Sequence, residues 1–339
     1  MRIQSRHSPL TAATLLFLVV SASFAASDDP KSGGSLLVER GSELGFTIPQ
    51  DEALFFEVLV DIPLVGETGL GEFKLRSGTE PYKASLFGAG EGGGDQAPRV
   101  GWAKATASGS CLNYTLKHEI RLRILPQEWP RVIYRDNQAG TENRRRELMY
   151  GIRAGKPSSL YRRDGHCQDV NCKLPEHRVQ ETWLKDEHHC GNCKRADHRD
   201  WRKPSVQEIP AGGVDMLSAI YLARSMVGSG LQEAKFPMLD KNRWWDVTLT
   251  LGQEKRLVTE AGTFDCRAVK LTPILPSGKQ EKFKGLFGIH GSLSIWLEKS
   301  TGVPISIQGI LPAGPLDVGI DLRLKRFRGT PEGFASIVD

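Results

Sequence analysis

Along much of the chain, apolar and polar residues alternate one for one. Leu116, Ile120, Leu122 and Ile124 fall on one side of an extended segment, with Lys117, Glu119, Arg121 and Arg123 on the other, as a strand with one buried face requires. The alternation returns in Trp245, Val247, Leu249 and Leu251, in Leu293, Ile295 and Leu297, and in Val318, Ile320, Leu322 and Leu324. Val65-Gly66, Ser77-Gly78, Ser277-Gly278, Thr301-Gly302 and the stretch from Pro312 to Pro315 read as turns between such runs, because Gly and Pro supply the backbone angles that turns need. One segment breaks the period of two. Over 214–227, Leu217, Ile220, Tyr221 and Arg224 recur at three-to-four spacing, with Asp215 at the positive end of a helix dipole and Gly228 as a stop. The expected fold is all-β, a barrel-like or rolled antiparallel sheet, with one helix at about 214–227 that packs against it.

The segments before and between these runs differ in kind. Arg2, Arg6 and His7 precede an apolar stretch from Leu10 to Val20, and Ser23 and Ala25 stand at minus three and minus one of a cut after Ala25, the layout of a secretory signal over 1–25. No later stretch approaches the roughly 20 apolar residues of a spanning helix. The expectation is therefore an exported protein, periplasmic or extracellular, without a transmembrane span once the signal is removed, in a compartment that permits disulfides. Residues 26–48 read as a flexible lead, 49–165 as a first β half and 204–339 as the helix and second β half, the two halves forming one β domain around an insert at 166–203.

That insert holds Cys167, Cys172, Cys190 and Cys193 together with His166, His177, His188, His189 and His198. It is internally duplicated: Cys172 to Arg178 and Cys193 to Arg199 both read Cys-Lys, two residues, an acid, His, Arg. Thiolate and imidazole are the ligands Zn2+ prefers, and a Cys-x-x-Cys turn aims two sulfurs at one ion. The candidate is a structural Zn2+ held by Cys167, Cys172, Cys190 and Cys193, with His177 and His198 as substitutes. Local disulfides, Cys167 with Cys172 and Cys190 with Cys193, are the rival reading, and Cys190-Gly191-Asn192-Cys193 also matches the spacing of thiol oxidoreductases. Cys111 and Cys266 are left over as a candidate disulfide between the halves.

The chain has 339 residues, with 45 basic and 40 acidic, a balance too even for a dedicated nucleic-acid binder. The balance hides a local excess. Residues 141–163 carry Arg144, Arg145, Arg146, Arg153, Lys156, Arg162 and Arg163 against Glu142 and Glu147. Arg144, Arg145, Arg146 and Arg153 are thus a candidate site for an anionic partner, a lipid headgroup or acidic polysaccharide of the envelope. The Trp244-Trp245 pair sends one ring to each face of a strand, one for the core and one able to stack on a sugar. Other motifs dissolve on inspection: Gly88 to Gly93 matches G-x-G-x-x-G without a following helix, His118-Glu119 lacks the second histidine of H-E-x-x-H because Leu122 stands there, and His290 reads as a turn residue. No catalytic residues emerge.

Val214 to Arg224, then Ala261-Gly262-Thr263-Phe264-Asp265-Cys266, then Ile295-Trp296-Leu297 with Pro304 shortly after, resemble the bacterial family catalogued as domain of unknown function 3108. The layout from Phe55 and Glu57 through Val65-Gly66-Glu67 to the Arg-rich strands is similar as well, so that the resemblance spans roughly 50 to 330. It implies an exported protein with a long curled sheet and one helix, and the Cys/His insert departs from the family's plain pattern. The function expected is a non-enzymatic envelope protein binding an apolar or anionic ligand. The alternatives are an interaction factor that docks through the insert, or an enzyme that depends on metal or thiol.

Overall fold

The structure, a computed structural model, describes residues 36–38, 44–62, 65–81, 99–111, 114–124, 132–140, 144–166, 199–277, 283, 285, 288–313 and 316–329. The strands of the first half are β1 (Leu36–Val38), β2 (Phe46–Ile48), β3 (Glu52–Ile62), β4 (Gly66–Pro81), β5 (Arg99–Cys111), β6 (Tyr114–Ile124), β7 (Val132–Gly140), β8 (Arg144–Arg153) and β9 (Lys156–His166). They are followed by β10 (Arg199–Trp201), β11 (Ser205–Glu208), β12 (Val214–Asp215), helix α1 (Met216–Ser229), β13 (Glu233–Asp240), β14 (Arg243–Thr259), β15 (Gly262–Ile274), β16 (His290–Glu298), β17 (Pro304–Ala313) and β18 (Leu316–Arg328).

Two antiparallel meanders, β3 to β9 and β13 to β18, join where β18 pairs with β3, giving one large sheet. Beyond its ends β10 and β11 both pair with β9, and β12 lies parallel to β13. The parallel pair needs a crossover, and α1 supplies it. The sheet is open, not a closed barrel. Yet β11, on one edge, and β12, on the other, are separated only by residues 209–213, a link that spans at most about 20 Å. One covalent strap therefore does what edge-to-edge hydrogen bonds do in a barrel.

Burial follows the period of two. Ile120, Leu122 and Ile124 of β6, Val247 and Leu249 of β14, and Ile320, Leu322 and Leu324 of β18 all lie in one buried cluster. Residues Met216 to Arg224 and Met226 of α1 are buried as well, since a helix covered on every side has no polar face to spare. The Asp215 carboxylate caps it by accepting from the backbone N–H groups of Leu217 and Ser218 at 2.9 Å. The helix runs through Gly228, and Gly230, at φ +76°, ends it in the left-handed conformation that glycine adopts freely. Arg224 is a core residue: its guanidinium donates to both carboxylate oxygens of Glu52 on β3, at 2.6 and 2.9 Å, with both groups buried.

Several expectations are corrected. The stretch read as a lead over 26–48 contains β1 and β2, and its Leu44 and Ile48 are buried against the core, so the folded body begins before residue 49. Ser77-Gly78 is not a turn but the interior of β4, where Gly78 leaves room for the Trp102 indole; a Cβ there would stand 2.9 Å from the ring. The Cys111–Cys266 bridge is not formed. Cys266 is a free buried thiol on β15, and burial, with Glu298 and Asp265 nearby, pushes its pKa up to about 12, far from the reactive range. His290 opens β16, paired with Ile310, in place of a turn. Trp245 is buried edge-on to Phe283, and Trp244 is half-buried against the core.

Residues 82–98 and 167–198, which hold the G-x-G-x-x-G match and the proposed ligands Cys167, Cys172, His177, Cys190, Cys193 and His198, lie outside the described residues. The strands that flank the insert are antiparallel neighbours, with His166 opposite Arg199 and Asp164 opposite Trp201.

Candidate functional site

Polar chemistry gathers on β5 to β9. On β6 the buried side holds His118 in line with Ile120 and Leu122, and the register continues it to Gln138 and Asp136 of β7 and to Arg144 and Arg146 of β8. The His118 ring nitrogen Nε2 meets Asp136 Oδ1 at 2.5 Å, and Arg146 donates to the other carboxylate oxygen. Both His118 and Asp136 are buried. Burial opposes the Asp136 charge, but the His118 contact and the Arg146 guanidinium outweigh it and hold its pKa down to about 2. Tyr134 and Tyr161 face the same space, and the charge of Asp240 at the end of β13 is felt at both tyrosines and at Arg146. Asp240 moves the other way: burial raises its pKa. Asp136 is thus the fixed anion of this interior, and Arg146 its counter-ion.

The opposite face of the same strands carries a second set of charges. Glu147 lies between Arg135 at 3.0 Å and Arg162 at 2.6 Å, and Glu119 between Lys104 at 2.6 Å and Arg121 at 2.5 Å. A cleft of about 590 Å³ crosses β4 to β9 here, walled by Lys74, Lys117, Glu119, Arg145 and Asp164 of this face and also by His118, Gln138 and Arg144 of the inward-facing register. Most of these charges are matched. Lys74 pairs with Glu72 at 3.0 Å, and Asp164 accepts from the Arg145 backbone at 2.9 Å and from its side chain at 3.5 Å. Lys117 and Arg144 have no ion-pair partner among the described residues, and the Nε atom of Arg144 is buried without a hydrogen-bond partner. A buried N–H without an acceptor is unfavourable, so an anionic oxygen placed there supplies what the fold leaves out.

The four arginines proposed from sequence do not form one patch. Arg145 is engaged by Asp164 and Arg146 by Asp136. Arg153 is exposed at the β8–β9 hairpin, opposite Lys156. Only Arg144 reaches the cleft with donor capacity to spare, and Lys117, passed over in the sequence, joins it. Asp136, Tyr134, Tyr161 and Asp240 were passed over as well. One signal pointed to His118: it stands at an inward position between Leu116 and Ile120. Among the described residues no three His, Cys, Asp or Glu side chains gather as metal ligands, and no helix is long and apolar enough to cross a membrane.

No curated protein and no solved structure matches the chain. A family model does, over residues 187–321, and its description is protein of unknown function DUF3108. The match takes in α1, the strands from β10 to β17 and residues 316–321 of β18, and it leaves the polar strands β5 to β9 outside. Over residues 187–321 the chain is similar to the domain of unknown function family 3108.

Proposed function

We propose that the protein is an exported, non-enzymatic cell-envelope protein that binds an anionic envelope ligand in the cleft across β4 to β9. The observation that carries this reading is the pair Lys117 and Arg144, two cations in the cleft without an ion-pair partner among the described residues, one with a buried unsatisfied N–H. An apolar ligand has less support, because the apolar side chains of α1 are buried in the same cluster as those of the strands. In a calorimetric titration of the full chain with inorganic phosphate and with galacturonic acid, binding is expected. Arg144→Gln and Lys117→Gln are expected to weaken it, each by roughly tenfold, since a charge-assisted hydrogen bond is worth about 1.5 to 3 kcal/mol. Binding that both variants leave untouched overturns the assignment.

Export and the zinc-stabilised insert complete the reading. The apolar run at Leu10 to Val20 and the small residues before Ala26 support export, and the duplicated Cys/His unit supports a Zn2+ site closed by four thiolates. The pairing of His166 with Arg199 holds the ends of the insert together, which shortens the loop a metal must close. N-terminal sequencing of protein from the cell envelope is expected to begin at Ala26. Elemental analysis with a thiol count is expected to give about one zinc and four metal-protected thiols per chain. Absence of zinc together with oxidised Cys167, Cys172, Cys190 and Cys193 establishes disulfides instead.

A further inference from the structure

The pairing register lines up one transverse row of residues on the face that carries the cleft. Arg328 of β18 stands opposite Ala53 of β3, Ala53 opposite Arg76 of β4, Arg76 opposite Lys104 of β5, Lys104 opposite Arg121 of β6, and Arg121 opposite Arg135 of β7. Three successive pairs, from Arg76 to Arg135, thus set like charges directly across from each other, an arrangement that works against sheet stability. A face kept charged for solubility alone alternates its signs. Acidic neighbours compensate only part of the row: Glu119 is shared by Lys104 and Arg121, and Arg135 shares Glu147 with Arg162, where the row ends in a buried cluster. Arg76 and Arg328 are exposed and have no ion pair among the described residues. In the adjoining row, Arg326 lies 4.5 Å and Lys74 5.9 Å from the Phe55 ring centre, and Lys74 leads into the cleft.

We infer that this row is a track for a linear acidic polysaccharide that crosses the strands at right angles, from Arg328 to Arg135, with the cleft beside it. The inference rests on the anion-binding reading of the same face and names its ligand. Strands lie about 4.8 Å apart, so the track presents its cations over about 24 Å, the geometry of a chain with repeated charges and not of a single small ion. A flat anionic membrane fits less well, because acidic Glu72 and Glu119 flank the row and the exposed large apolar residues Val65, Val206, Val258, Ile274 and Ile310 lie off it. A sugar ring has a further partner beside the track: Trp102, half-buried, sits between Gly78 and Arg123 in the register and covers the glycine with its indole.

The test uses the full chain with oligogalacturonates of increasing length, inorganic phosphate, and vesicles of phosphatidylglycerol and phosphatidylcholine in equal parts. Affinity is expected to rise with oligomer length until the chain matches the track, and log K to fall linearly with log salt, more steeply for longer oligomers as more counterions are released. The double variant Arg76→Glu with Arg328→Glu, both exposed, is expected to melt no lower than the wild type. It is expected to lose at least about tenfold in affinity for the long oligomer, a loss near the 1.4 kcal/mol that tenfold represents, while binding phosphate and the monosaccharide as before. Affinity independent of length, or an unchanged affinity in the double variant, overturns the track. So does vesicle binding that the double variant abolishes while oligogalacturonate fails to bind. If phosphate and the monosaccharide bind through Arg144 and length adds nothing, the track falls and the cleft stands; if no anion binds, both fall.

Discussion

The two meanders solve the same problem, a wide sheet with one face turned inward, by different means. In β13 to β18 the inward positions are almost all aliphatic or aromatic, among them Val247, Leu249, Val269, Leu271, Leu293, Ile295, Ile307 and Leu322, and α1 covers them. Such burial is non-directional and worth roughly 1.5 to 3 kcal/mol per large side chain. In β6 to β9 the corresponding positions hold the buried His118, Asp136, Gln138 and Ser159 and the half-buried Arg146 among Ile120, Leu122, Ile124, Leu148 and Tyr150. There each charge must be met by a partner in the right place, and a matched pair adds little net stability while a broken one subtracts much. The second half is built to be stable. The first half keeps its charges in fixed positions, as the proposed anion binding requires.

The sharpest way to break this contrast lies in the buried ion pair that joins the helix to the sheet. Arg224 and Glu52 tie α1 to β3 with two hydrogen bonds inside the core. Arg224→Ala strands a buried carboxylate and is expected to lower unfolding free energy by about 3 to 5 kcal/mol in urea titrations. Replacing both, Glu52→Leu with Arg224→Met, is expected to recover most of that loss, because an apolar core accepts apolar side chains. A double variant as weak as the single one assigns the pair a role beyond packing.

Next in size is Asp136→Asn, which leaves Arg146 without its counter-ion and is expected to cost about 2 to 3 kcal/mol at neutral pH. The pH dependence has a definite sign. The folded-state pKa of Asp136, about 2, lies below the ordinary aspartate value. Its stabilisation is therefore complete above the unfolded value and is lost as pH falls through the folded one. Between about pH 5 and pH 2 the wild type is expected to lose about 2 kcal/mol more than the variant, measured by denaturant midpoints along the pH series. Parallel curves for the two proteins remove the charge from the interior of the first half.

A smaller effect returns to the helix. Asp215 caps α1 through the N–H groups of Leu217 and Ser218 and also accepts from the Ser218 hydroxyl at 2.6 Å. Asp215→Ala is expected to lower the thermal midpoint in step with about 1 to 2 kcal/mol. Asp215→Asn is expected to retain most of it.

What the sequence made legible follows the same division. Strands with one apolar face announced themselves, as did α1, because in the second half burial and polarity agree at most positions, with Arg224 and Glu298 among the buried exceptions. They disagree in the first half. His118 and Asp136 are polar at inward positions, Glu147 and Arg162 are buried on the other face, and the run at 141–163 consequently read as net charge without direction. Leu44 and Ile48 were hidden by the polar residues that precede them, and Ser77-Gly78 imitated a turn because glycine marks a close approach in a strand as readily as a reversal. The row from Arg328 to Arg135 had no local signature at all. It draws on strands far apart in the chain and exists only once the register is known.

That row yields the smallest and most discriminating prediction. Arg76 faces Lys104 on one side and Ala53 on the other, so Arg76→Glu exchanges a repulsive cross-strand pair for an attractive one. The expected result is a gain in stability of about 0.2 to 1 kcal/mol. It should be seen in low salt and fade as ionic strength shortens the Debye length to about 3 Å near 1 M. The same substitution is expected to weaken oligogalacturonate binding. A residue whose replacement stabilises the fold and removes a ligand is held there against folding, for the ligand. If Arg76→Glu instead destabilises the protein in low salt, the row is a structural element of the sheet, and the contrast between a half built for stability and a half that holds charge for binding no longer applies to this face.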